Sequence, residues 1–90
     1  MKFMLLIFGI DLCTFSDGYI SGGDEKYLGI TKTEEECANL VRTKMPDAKG
    51  ATYEPKTKHC DAEYGRSKLR TYASTYYRYC LLPGRKFSND

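Results

Sequence analysis

Three cysteines and the only histidine, Cys37, His59, Cys60 and Cys80, make a nominal zinc set of the Cys₃His kind. The spacing argues against it. Zinc knuckles draw ligands in close pairs such as Cys-x-x-Cys, which the chain lacks, and His59 and Cys60 are neighbours that an extended strand would point to opposite faces. A Cys–His nucleophile would need that same histidine, and there is no Gly-x-Ser-x-Gly, phosphate-cradling glycine loop or zincin helix. Carboxylates cluster at Glu34-Glu35-Glu36 and at Asp61 with Glu63. The first set reads as a helix start and the second as a solvated strand face. With 90 residues in all, little is left to wall a concave, desolvated site, so no enzyme activity, metal or cofactor is expected.

Aromatic and basic residues form the more informative set. Residues 17 to 63 carry ten acidic and seven basic side chains, for −3, whereas residues 64 to 90 carry six basic and one acidic, for +5. Arg66, Lys68, Arg70 and Arg78 share that second segment with Tyr64, Tyr72, Tyr76, Tyr77 and Tyr79. Tyrosine and arginine together are enriched where proteins bind partners. The candidate ligand-binding residues are therefore Arg66, Lys68, Arg70 and Tyr72, read as a loop, with Tyr77 and Tyr79. Tyrosine is also the large aromatic with which a tryptophan-free sheet would build a core, and strand arginines also discourage edge pairing.

The elements that must position these groups follow from local pattern. Thr33-Glu34-Glu35-Glu36 is a capping box, with the Thr33 hydroxyl expected to accept from the Glu36 N–H and the Glu36 carboxylate to accept from the Thr33 N–H. Cys37, Leu40, Val41 and either Lys44 or Met45 continue at helical spacing, and Pro46 stops the helix. Gly50 to Tyr53, His59 to Tyr64 and Thr75 to Leu82 read as strands. Asp17-Gly18 and Ser21-Gly22-Gly23-Asp24 read as turns. Alternation puts Cys60 on the inward face of its strand and, in the last strand, groups Tyr76, Arg78, Cys80 and Leu82 against Tyr77, Tyr79 and Leu81, with the Cys80 set favoured inward. An inward helix cysteine and an inward strand cysteine make Cys37 to Cys60 the natural staple, one that contributes about 3 kcal/mol by loop entropy. The expected class is α+β, one helix on a small antiparallel sheet.

At the N-terminus, Met1-Lys2 precedes the apolar run Phe3 to Ile10, which has the form of a secretory signal and is too short to span a membrane. A cut at Thr14-Phe15-Ser16 divides the chain into a signal, residues 1 to 16, and one module, residues 17 to 90, ending in a frayed tail from Lys86 to Asp90. Such a cut removes Cys13 and leaves Cys80 as a free thiol or the link of a disulfide-bonded dimer. Retaining Cys13 allows a second bridge. The competing reading makes Lys2 to Ile10 a buried strand of an intracellular domain.

Glu-Glu-Cys-Ala-Asn-Leu-Val, followed by Gly-Ala-Thr-Tyr and Cys-Asp-Ala-Glu-Tyr, resembles the PAN/apple superfamily of secreted modules over Tyr27 to about Leu82. The resemblance implies a helix on a small antiparallel sheet, with an early helix cysteine bridged to a central strand, positions matched by Cys37 and Cys60. A second helix bridge found in many members falls here on Val41 and Ala48, so both of its ends are absent together. A tie between an N-terminal and a C-terminal cysteine would use Cys80, with Cys13 as its partner if the signal is cut earlier. The functions the resemblance implies are protein or carbohydrate binding.

The expected function is a secreted, non-enzymatic recognition or adhesion module whose basic, Tyr-rich C-terminal half meets an extracellular protein or glycan of acidic character. A toxin-like or inhibitor-like effector that blocks a protein target is the alternative. A nucleic-acid partner is not expected, because a net charge of +2 is weak for such a domain and the N-terminal run would have to be retained. No Asn-x-Ser/Thr sequon is present, so N-glycosylation is not expected either.

Overall fold

A computed structural model describes residues 13–65 and 69–82. The N-terminal apolar run, Arg66, Lys68 and the C-terminal tail lie outside the described residues.

The helix α1, Glu34–Lys44, begins at Thr33, whose hydroxyl accepts from the Glu36 N–H at 3.1 Å. The return half of the box is displaced by one residue. The Glu36 carboxylate accepts from the Lys32 N–H at 2.9 Å, not from Thr33. The Met45 N–H closes the last turn on the Val41 carbonyl, and Pro46 follows.

Among the described residues there are also seven strands: β1 Phe15–Asp17, β2 Tyr19–Ser21, β3 Asp24–Ile30, β4 Gly50–Glu54, β5 His59–Tyr64, β6 Arg70–Tyr72 and β7 Arg78–Leu81. Five form an antiparallel sheet in the order β1-β7-β4-β5-β3, and β2 pairs with β6 in a separate antiparallel ribbon. The chain is thus α+β, one helix packed on an antiparallel sheet. The expected turns fall at Gly18 and at Gly22–Gly23, but Asp17, Ser21 and Asp24 beside them are strand residues, and the last strand is Arg78–Leu81 in place of Thr75 to Leu82. Arg70 to Tyr72, read as loop, is the strand β6.

The sheet has two differently used faces. On one, Cys37, Ala38 and Val41 of α1 pack with Ala51, Tyr53, Cys60, Ala62, Cys80 and Leu82 in the main core. Cys80 and Leu82 are buried while Leu81 is exposed, so these two of the Cys80 set face inward; Tyr76, expected with them, lies before β7 and is 70% exposed. The other face carries Gly50 opposite Glu63, and Thr52 opposite both Asp61 and Tyr79. Over this face lies the ribbon. A Cβ on Gly50 would meet Ile20 Cδ1 at 2.7 Å and the Cys80 carbonyl oxygen at 2.6 Å, so glycine at that position is what lets β2 approach the sheet.

Both disulfides are formed within the chain, Cys37–Cys60 with Cα atoms 5.4 Å apart and Cys13–Cys80 with Cα atoms 5.5 Å apart. Cys37–Cys60 ties helix to sheet, and Cys13–Cys80 ties the residues before β1 to β7. No cysteine is free among the described residues, so the disulfide-linked dimer through Cys80 has no thiol to form it. A cut after Ser16 would remove Cys13 and two of the three residues of β1.

Candidate recognition face

The ribbon separates an inner side from an outer side by simple alternation. Ile20 is buried against the sheet, so its neighbours Tyr19 and Ser21 point away. The register sets Tyr19 opposite Tyr72 and Ser21 opposite Arg70, and directly paired residues share a face. The outer side of the ribbon therefore presents two tyrosines, a serine and an arginine. The rings of Tyr19 and Tyr72 stack with centroids 5.5 Å apart, and Tyr77 meets Tyr19 edge-on at 5.8 Å. Tyr72 is 47% exposed and Tyr77 37%, so the cluster is open to solvent while its rings hold one another in place. Arg70 is exposed and makes no ion pair among the described residues.

Gly18 joins this cluster to the sheet. Its backbone φ of +137° is a left-handed conformation, and its N–H donates to the Tyr77 carbonyl at 2.8 Å. A Cβ there would run into the Tyr72 carbonyl oxygen and stand 3.0 Å from Tyr79 Cε1. Tyr79 is half-buried beneath this turn, so it supports the cluster from below while Tyr72 and Tyr77 present it. Of the six candidate ligand-binding residues, the structure thus gathers Arg70, Tyr72, Tyr77 and Tyr79 around one ribbon. Arg66 and Lys68 lie outside the described residues. Tyr19 and Ser21 were missed, because a three-residue strand between glycines carries too little alternation to be read as one.

Arg78 has a different role from its basic neighbours. Its guanidinium donates to the two Glu34 carboxylate oxygens at 3.0 and 3.2 Å and to Asp17 at 2.8 Å. It is engaged inside the fold, joining β7 to the start of α1 and to β1, and both carboxylates hold its proton more firmly than usual. Glu34 is thus more than a helix-dipole charge.

The carboxylates of β5 depart furthest from expectation. Glu63, expected on a solvated face, is only 2% exposed and accepts from the Thr52 hydroxyl at 2.8 Å. Burial pushes its carboxyl up to about 8 against the lowering effect of that bond, and Glu25 and Asp61 push in the same direction. Asp61 is raised to about 6, by burial first and then by Glu25. The physical reason is the ribbon, which covers the face that alternation alone assigns to water. His59 is exposed, as expected, and its ring meets Tyr27 edge-on at 5.0 Å.

Comparison with protein-family models, curated proteins and solved structures found no match. No group of three or more His, Cys, Asp or Glu side chains among the described residues is placed to hold a metal ion. No helix among the described residues is long and apolar enough to cross a membrane. What the face offers chemically, among the described residues, is flat aromatic surface for stacking and the exposed Arg70 guanidinium for an anion.

Proposed function

We propose that this chain is a secreted, non-enzymatic recognition module of PAN/apple-like type that binds an extracellular protein or glycan partner through the outer side of the β2–β6 ribbon. The observation that carries this reading is the stacked Tyr19–Tyr72 pair beside Arg70, on a side of the ribbon that the core does not use. Aromatic rings can cover sugar faces, and a guanidinium can grip a sulfate or carboxylate in bidentate fashion. Two disulfides favour an oxidising compartment and weigh against an intracellular nucleic-acid binder. Three features support the PAN/apple-like assignment. Cys37 of the helix is bridged to Cys60 of a central strand, Cys13 is tied to Cys80, and Val41 and Ala48 are buried where many members carry a second helix bridge.

The test is binding of the oxidised protein to immobilised sulfated, sialylated and neutral glycans over a range of salt. Weak, salt-sensitive binding to the acidic glycans, reduced by both Arg70→Ala and Tyr72→Ala, is the expected result. Binding to none of them, or binding that neither variant alters, overturns the glycan form of the proposal. Capture of a defined protein target through the same two residues, with no response to glycans, selects the effector-like alternative.

A further inference from the structure

Glu63 lies on β5, between β4 and the edge strand β3, on the face against which Ile20 of the ribbon packs. Its register partner on β4 is Gly50, over which Ile20 packs, and its partner on β3 is Glu25. The groups facing it are few. From β3 there is the Glu25 carboxyl, from its own strand Asp61 two residues away, and from β4 the Thr52 hydroxyl. From the ribbon the apolar Ile20 packs over Gly50, the residue paired with Glu63 across the β4–β5 ladder. The Lys49 N–H serves the Glu63 backbone carbonyl at 2.8 Å and not its carboxylate. Among the described residues no ion pair to Glu63 forms, and Thr52 is the one side chain that donates to it.

A protonated carboxyl suits this setting, since a single donor and an apolar cover satisfy a neutral group. A carboxylate does not, because one hydroxyl cannot replace its hydration and two further carboxyls stand beside it. Loss of the proton to solvent is relieved by admitting water, and the element that can move to admit it is the ribbon. Strand β2 is three residues long and is followed by the exposed Gly22 at positive φ, where small rearrangements are least hindered.

We infer that Glu63 is the pH-controlled latch of the ribbon: protonated, it lets β2 and β6 dock on the sheet, and ionised, it releases them together with the Tyr19–Tyr72 face. This control rests on the reading of that face as the binding surface, but the docking equilibrium itself does not. The pH response that supports it is the raised carboxyl described above, whose ionisation falls in the mildly alkaline range.

The experiment is amide hydrogen exchange on the ligand-free protein with both disulfides formed, expressed as protection factors so that the intrinsic effect of pH is removed. Between pH 6 and pH 9 the amides of β2 and β6 are expected to lose about tenfold or more of their protection, while those of β4 and β5 keep theirs. In Glu63→Gln the ribbon amides are expected to show equal protection at both pH values. In Glu25→Gln, which removes a neighbouring negative charge, the opening is expected to move to lower pH. Constant protection of the wild-type ribbon overturns the inference, as does an unchanged loss in Glu63→Gln. If Glu63→Gln does not fold, an unmoved midpoint in Glu25→Gln overturns it equally. Because no ligand is present, failure here leaves the proposed function standing, and failure of glycan binding leaves the latch standing.

Discussion

Tyr19 and Tyr72 lie opposite each other across the β2–β6 ribbon, with their rings stacked at 5.5 Å, although 53 positions separate them in the chain. The stack is possible because Ile20 alone of β2 turns toward the sheet and leaves its neighbours outward. The ribbon therefore does two jobs: its inner side covers a buried carboxyl, and its outer side displays aromatic rings.

Gly18 is the position at which this arrangement is most easily broken. Alanine there combines a strained positive φ with a Cβ driven into the Tyr72 carbonyl oxygen. Gly18→Ala is expected to cost about 1–3 kcal/mol in urea unfolding and to weaken the near-ultraviolet circular dichroism of the tyrosine cluster. An unchanged tyrosine signal would mean that the turn does not hold the cluster.

Arg78 is expected to behave as a structural residue, unlike Arg70. Replacing it with methionine removes charge-assisted bonds to Glu34 and Asp17 and should lower unfolding free energy by about 1–3 kcal/mol. Lysine should restore less than half of that, since an ammonium cannot make the two-pronged contact with Glu34. Arg70→Ala, at an exposed position with no ion pair among the described residues, should leave stability within about 0.5 kcal/mol of wild type.

Intact mass of the protein from its native source should show Cys13 retained and a value four hydrogens below the fully reduced chain, because both bridges are intramolecular. The two bridges close loops of different length, with sequence separations of 67 for Cys13–Cys80 and 23 for Cys37–Cys60. Loop entropy assigns about 4 kcal/mol to the longer and about 3 kcal/mol to the shorter. Paired alanine substitutions, compared by denaturant midpoint, should follow that order.

Stability should fall as pH rises from weakly acidic values toward 8. The Glu63 carboxyl is raised in the folded chain to about 8 from an ordinary 4.5, so folding favours its protonated form. That contribution is full below the ordinary value and is lost as pH rises toward 8. Asp61, raised to about 6, adds a smaller loss in the lower part of the same range. The difference in unfolding free energy between Glu63→Gln and wild type should grow from pH 5 to pH 8 by an amount on the order of a few kcal/mol. A flat difference would show that the carboxyl is not held in its protonated form.

Local chemistry was enough to read the helix and the two strands β4 and β5. Thr33 caps the helix because its hydroxyl reaches an N–H three residues away, and Cys37 and Val41 are buried because helical spacing places them on one stripe. Strand β5 runs from His59 to Tyr64 as its alternation indicates, with Cys60 and Ala62 inward. The Cys37–Cys60 bridge follows from those two elements, since each presents its cysteine to the other.

What the sequence could not determine depends on pairings between distant segments. Strands β1, β2 and β6 are three residues each, too short for a period, and exist through partners 49 or more positions away. Alternation correctly separated Asp61 and Glu63 from the cysteine face, but alternation says only which side a residue faces. Whether that side meets water depends on what folds over it, and only the tertiary structure lays the ribbon there. The same docking turns a polar strand residue into a buried acid, brings Tyr19 to Tyr72, and leaves Arg70 outside where an anion can reach it.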